Sequence, residues 1–469
     1  MKVNPDLDNE RKKCSFNVTE LTHFLDGGIG KYRARKKREE LFLSNPGFKD
    51  EIPIEYLSQE NQYSESLKKA RILMQIIKDQ NQDYYYNERV GMPVDAAIMR
   101  KGIGNPFFVH LAVFPLTLYT NGQCHGVHTF MVQLRDEKTY QPLPGITLGD
   151  VGHKFGFNAG NNGFMALNKV RIPRNHMLMK NSQVLPLHAM TCCLKAICTS
   201  DASEAVERAR LACGGHGYMT SSNLHPIFTL TAAAKTLEGE NTVLLLQTAR
   251  ALIKTWLRVR QQKTISSLMN YLIAEKVTVK FNDLESIVQG FKQVAAAKVE
   301  QCGELLQRGT ASGLAPEIAW NSVSVQLVEA AEAHCRAFLV ERYVEALHTR
   351  MIELSPELRA VMQQLCKLYC VYWTLRKRGD FLQHTSMNIN DVTALEDWQS
   401  RLLAQLRPNA VGLVDAFDFR DEILDSTLGA WDGQVYQRLF DSAMKSPLNA
   451  KPVHDSFHAS IAPMLKAKY

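Results

Sequence analysis

Residues 213–250 read CGGHGYMTSSNLHPIFTLTAAAKTLEGENTVLLLQTAR. A glycine-rich turn opens the stretch, Gly214-Gly215-His216-Gly217-Tyr218. An apolar run closes it, and its periodicity predicts a helix over about residues 242–259. Between them sits Glu238, followed at once by Gly239. A carboxylate beside a glycine, just before a long helix, has two readings. It is a charge that the helix dipole favours, or it is a group held against a bound ligand by local backbone geometry. Spacing alone leaves both open. His216 is equally double: a catalytic imidazole, or a ring that packs where glycines permit close backbone approach.

The chain has 469 residues, enough for about two to four domains with sizeable cores. Its charge of +7 is modest for that length. Apart from a cluster at 33–38 the basic residues are scattered, and no nucleic-acid-reading module is visible. The charge would suit a phosphate-bearing small molecule. Ten cysteines without a CxxC pair suit a reducing compartment. Cys192, Cys193, Cys366 and Cys370 are expected to be packed thiols on helices. No secretory signal opens the sequence, and no apolar run reaches the roughly 20 residues that cross a bilayer. The last three residues, Ala467-Lys468-Tyr469, partly match a Ser-Lys-Leu peroxisomal address.

Outward from the central stretch, residues 1–118 read as a largely helical domain. The charged run at 31–40 looks like a solvated helix. Residues 64–78 and the mostly apolar segment 99–118 continue the helical pattern. The texture changes at Tyr119. Asn121-Gly122 is a hairpin signal, and strand-like runs follow at 127–134, 146–148 and 164–170. This predicts a small antiparallel unit, too small to close a barrel. Helix returns from Leu187. Ser200 and Asp201 offer caps to a helix over 201–213. The remainder, with long helices at 284–306, 318–347 and 355–375, reads as helical.

Metal, hydrolase and nucleotide-loop motifs are absent. His125 and His128 have no third ligand of matching spacing, so no metal is expected. Asp415 and Asp418 read as capping or loop-bonding groups.

At this point several segments add a resemblance. CGGHGY at 213–218, TLEGENTVLLLQTAR at 236–250, PLPGITLGDVGHKFG at 142–156 and NGFMALNKVRIPRNHML at 162–178 resemble the peroxisomal acyl-CoA oxidase family. So do NPDL at 4–7, AEAHC at 331–335, GDFL at 379–382, RPNAVGLVDAFDF at 407–419 and KSPLN at 445–449. They run through the chain in the family's order.

The resemblance implies an α+β, mainly α, acyl-CoA dehydrogenase-like fold. Its parts would be an N-terminal helical domain (1–118), an incomplete middle β domain (119–186), a partial helical domain with the catalytic segment (187–275) and a C-terminal helical domain (276–469). It implies a dimeric, peroxisomal FAD enzyme of fatty acid β-oxidation. Such an enzyme desaturates acyl-CoA to the trans-2-enoyl-CoA and reduces molecular oxygen to hydrogen peroxide. Glu238 matches the family's catalytic base, with a pKa that burial beside the acyl chain would raise. Gly214, Gly215, His216 and Gly217 would approach the flavin. Asn241 and Thr242 would offer helix-start N–H groups to polar cofactor atoms. Against the family, two internal segments are missing, at about 118–119 and 186–187. They include flavin and acyl-CoA contacts. The alternative is an impaired relative that binds acyl-CoA or pairs with a full-length subunit.

Overall fold

The computed structural model describes residues 3–50, 53–79, 111–156, 158, 162–178, 185–274 and 277–466. The tyrosine cluster at 83–89, the apolar segment at 99–110 and the final triplet 467–469 lie outside them. In chain order the longer helices are α1 (Pro5–Lys12), α2 (Val18–Asp26), α3 (Ile29–Leu43), α4 (Gln59–Asp79), α5 (Leu185–Ala212), α6 (Leu224–Ala234) and α7 (Asn241–Arg260). Then come α8 (Leu284–Ala311), α9 (Ser324–His348), α10 (Pro356–Arg376), α11 (Ile389–Leu406) and α12 (Val435–Met444). The strands are β1 (Leu111–Thr120), β2 (Gln123–Gln133), β3 (Ile146–Asp150), β4 (Gly163–Leu167) and β5 (Met177–Leu178). The fold is therefore mainly α with a small β region.

Two compact units share the chain. The first comprises residues 1–29, 184–214 and 231–418. Here α5 packs on α7, α7 on α9, and α8 on both α7 and α9. The shared core includes Cys193, Leu245, Leu252, Trp256, Val299, Leu327 and Cys335. A second core joins α8, α9, α10 and α11 through Ile287, Phe291, Val340, Leu358, Cys366, Cys370 and Leu395. Helix starts are specified locally. Asp283 caps α8 at Ser286 N, Ser355 caps α10 ahead of Pro356, and Asn388 with Asp391 forms a capping box on α11. The thiols of Cys192, Cys193, Cys366 and Cys370 are buried, as expected.

The second unit comprises residues 30–183, 215–230 and 419–469. β1 and β2 form an antiparallel hairpin, β2 also pairs with β5, and β3 pairs with β4. Val132, Leu134 and Ile146 centre a small core that Phe114, Phe130 and Met165 flank.

Four expectations change. The β region begins at Leu111, before the boundary drawn at 119. The physical reason is the turn itself: Asn121 and Gly122 both have positive φ (49° and 80°), the hairpin type that requires a strand on each side. The expected junction at 118–119 thus falls inside one strand. Ser200 and Asp201 do not cap a helix, because α5 starts at Leu185 and carries them in its interior. The junction at 186–187 falls inside this same helix. The charged helix α3 is not solvated throughout: Arg35, Arg38 and Glu39 are buried, with Arg35 Nη1 2.8 Å from Glu39 Oε1. Finally, the helix expected over 318–347 breaks at Val323, where a short helix (Pro316–Ser322) ends and α9 begins.

Candidate active site

Glu238 lies in an exposed turn between α6 and α7. Its φ is 56°, a left-handed conformation that a glutamate rarely adopts. Gly239 continues the bend at φ 108°, where a side chain would also run into Leu244. Two left-handed residues in succession turn the chain sharply into α7. Among the described residues, neither the Glu238 carboxylate nor its N–H makes a hydrogen bond. A carboxylate and a main-chain donor of one residue are therefore both open to solvent or ligand.

The turn is anchored from below. Asn241 N donates to Lys235 O at 3.1 Å, closing the loop at its base. The Asn241 side chain is buried against α5. Its Nδ2 donates to Ala196 O at 2.9 Å, Ser200 Oγ at 2.9 Å and Thr199 Oγ1 at 3.0 Å. Its Oδ1 accepts from Lys195 Nζ at 2.8 Å. The same ammonium donates to Gly239 O at 2.6 Å and to Lys235 O at 3.3 Å. Nothing in the sequence singles out Lys195: it is one lysine on a long helix, some 40 residues from the turn it touches.

Glu240 caps α7, its Oε2 accepting from Val243 N at 3.1 Å. The N–H groups of Thr242 and Val243 hold its carboxyl below the usual carboxylate range. The Thr242 hydroxyl donates to Glu240 Oε1 at 3.2 Å. Asn241 and Thr242, expected to face a cofactor, are both engaged within the chain. Their side chains serve the turn and the cap, and the first donors of α7 are satisfied within the chain.

The glycine turn folds as a 3-10 segment, Gly214–Tyr218, directly after α5. Gly214 has φ 59° and ends the helix in the left-handed conformation that glycine accepts freely. A Cβ at Gly214 or Gly215 would meet nothing within 4 Å. Neither glycine is demanded by packing against its own chain. His216 and Tyr218 are exposed, whereas Gly217 is buried. The backbone at Gly214 and Gly215 is thus open, with unfilled space where a side chain would stand.

The remaining candidates are placed elsewhere. The His125 ring bonds to Thr120, and His128 lies 3.1 Å from His125 O, both at the exposed end of the β1–β2 hairpin. Asp415 pairs with Arg11 at 2.7 Å, a structural role in line with the loop-bonding reading.

Comparison with known proteins adds the family. Residues 283–466 match the model described as acyl-CoA oxidase, 157–253 that of the acyl-CoA oxidase C-alpha1 domain, and 17–131 that of the acyl-coenzyme A oxidase N-terminal region. The chain is 31% identical to acyl-coenzyme A oxidase 1 of Drosophila melanogaster over 664 residues, covering 99% of each chain. It is 28% identical to the peroxisomal acyl-coenzyme A oxidase 1 of Rattus norvegicus over 661 residues, covering 98% and 99%. The fold is similar to acyl-CoA oxidase-1 of Caenorhabditis elegans, solved complexed with FAD and ATP, at TM-score 0.86 and 24% identity, covering 99% and 98%. The fly alignment spans 664 positions against 469 residues here, so at least 195 aligned positions have no counterpart in this chain. That agrees with missing internal segments.

Proposed function

The chain belongs to the acyl-CoA oxidase family, and from that membership we propose that it is an FAD-dependent acyl-CoA oxidase. It would convert acyl-CoA to the trans-2-enoyl-CoA with reduction of oxygen to hydrogen peroxide, as a homodimer in peroxisomal β-oxidation. The observation that supports this best is the pairing, at Glu238, of an unengaged carboxylate with an unengaged N–H on a turn of fixed backbone.

The chemistry follows from those two groups. An α-proton of a thioester is weakly acidic. It becomes removable when a donor polarises the carbonyl oxygen and a base stands within hydrogen-bond reach. The Glu238 N–H is the donor and its carboxylate is the base. When bound, FAD supplies the hydride acceptor and delivers the electrons to oxygen. By the family resemblance, Gly214, Gly215, His216 and Gly217 would approach it. The acyl chain, closing over Glu238, would raise the carboxylate's pKa by excluding water.

One observation favours a second reading. At least 195 aligned positions are absent, and by the family resemblance these would include flavin and acyl-CoA contacts. An impaired relative would bind acyl-CoA, or pair with a full-length subunit, without turnover. A single experiment separates the two. The purified chain is mixed with FAD, desalted and scanned in the visible range. Flavin bands that persist, and bleach when acyl-CoA is added without oxygen, support the oxidase; Glu238→Gln should keep the bands and stop the bleaching. Folded protein that loses all flavin on desalting favours the impaired relative.

A further inference from the structure

We propose that Lys195 is the positioning residue of the Glu238 turn. The inference rests on the role assigned to Glu238 above. The three protons of the Lys195 ammonium are spent on three acceptors: Lys235 O, Gly239 O and Asn241 Oδ1. Two of these are main-chain carbonyls that bracket Glu238, one three residues before it and one directly after it. The third belongs to the side chain that ties the turn to α5. Lys195 therefore grips the backbone on both sides of the carboxylate without touching the carboxylate itself.

Besides Lys195, the loop is held by main-chain bonds at its base, Leu237 N to Ala233 O and Asn241 N to Lys235 O, and by the Asn241 side chain; none of these engages Gly239. Residues 235–240 are all exposed, so burial contributes little there. The left-handed backbone at Glu238 is sterically disfavoured relative to ordinary conformations. An ungripped turn would relax toward right-handed or extended backbone and swing the carboxylate away. Lys195 itself is half-buried on α5, a 28-residue helix whose neighbouring residues Cys193, Ala196 and Ile197 are buried in the core. The clamp thus transmits the position of a rigid helix to an exposed loop. A base displaced by about 1 Å loses on the order of a hundredfold in rate, so a clamp on this turn bears on turnover as well as on the fold.

The test uses the full chain with Lys195→Met, which keeps the stem and removes the charge, and Lys195→Arg, which keeps the charge. Amide hydrogen exchange is read over residues 234–242, a measurement that needs neither cofactor nor turnover. Lys195→Met should speed exchange at Leu237 and Asn241 about tenfold or more, with α9 unchanged, and Lys195→Arg should restore part of the protection. In the flavin-loaded chain, kcat should fall about a hundredfold for Lys195→Met with KM within about twofold. Unchanged exchange overturns the proposal, and so does faster exchange with unchanged kcat. Glu238→Gln is the separate control. If it retains kcat, the base assignment fails, while the exchange pattern still decides whether Lys195 holds the turn.

Discussion

Arg336 on α9 grips Asp201 on α5 with both terminal nitrogens, at 2.8 and 3.0 Å. Its guanidinium also lies 3.4 Å from the centre of the Trp373 ring, and Nη1 donates to Tyr369 at 3.1 Å. The side chain is only 8% exposed. A planar, forked cation is required to meet a carboxylate and an aromatic face at once. Arg336→Ala should cost about 3 kcal/mol, since it strands Asp201 and opens space beside Trp373. Arg336→Lys should recover less than half of that. Urea midpoints at constant slope would measure both. Equal stability of the lysine variant and the parent would mean that charge alone matters here.

Tyr271 and His334 make a buried polar pair, with the hydroxyl 2.8 Å from Nδ1 and the rings stacked. Among the described residues, Nε2 of His334 is buried without a hydrogen-bond partner. Desolvation pushes this imidazole down to about 4 from its ordinary 6.5. The folded state therefore resists protonation that the unfolded state accepts. Stability is fully present above about pH 6.5 and falls as pH drops from 6.5 toward 4, at up to about 1.4 kcal/mol per unit. Urea unfolding from pH 7.5 to 4.5 should show this slope, and His334→Gln should flatten it. A slope unchanged in the variant would assign the acid sensitivity to other groups.

Gly303 on α8 faces the ring of Trp256 on α7. A Cβ at that position would sit 2.6 Å from the ring, and Trp256 is buried and cannot swing out. Helix propensity alone would favour alanine there by up to about 1 kcal/mol. Overpacking outweighs it, so Gly303→Ala should destabilise by about 1–2 kcal/mol net. Thermal unfolding measures the sign directly. A rise in midpoint would show that the two helices can part at little cost.

How far the sequence carries these conclusions depends on the range of each interaction. Asn121-Gly122 announced a hairpin because a type I′ turn is written in two adjacent residues. The strand before it was missed, since an apolar run such as 111–118 has no periodicity that tells a strand from the end of a helix. Glu238-Gly239 was visible as a local motif beside a helix start. The partners that fix it were not, for Lys195 and Ser200 reach it across some 40 residues, and their own helix gives them no distinguishing pattern. Asp201 looked like a cap for the same reason. A polar residue among small apolar ones reads as a helix boundary until Arg336, 135 residues on, is seen to pair with it.

Glu238 offers the sharpest separation of fold from function. Its left-handed backbone is a strain that the turn imposes, and its side chain makes no hydrogen bond among the described residues to offset it. Glycine accepts the same φ without the steric cost, though it loses more freedom on folding. Glu238→Gly should therefore leave stability unchanged or raise it by about 1 kcal/mol, while abolishing turnover. Glu238→Gln should keep stability within about 0.5 kcal/mol and abolish turnover as well. The expected pattern is a residue that the fold tolerates at a cost and the chemistry retains. Thermal midpoints and acyl-CoA-dependent flavin bleaching, measured on the same preparations, decide it. A Glu238→Gly variant that loses more than about 1 kcal/mol would show that the carboxylate serves the fold.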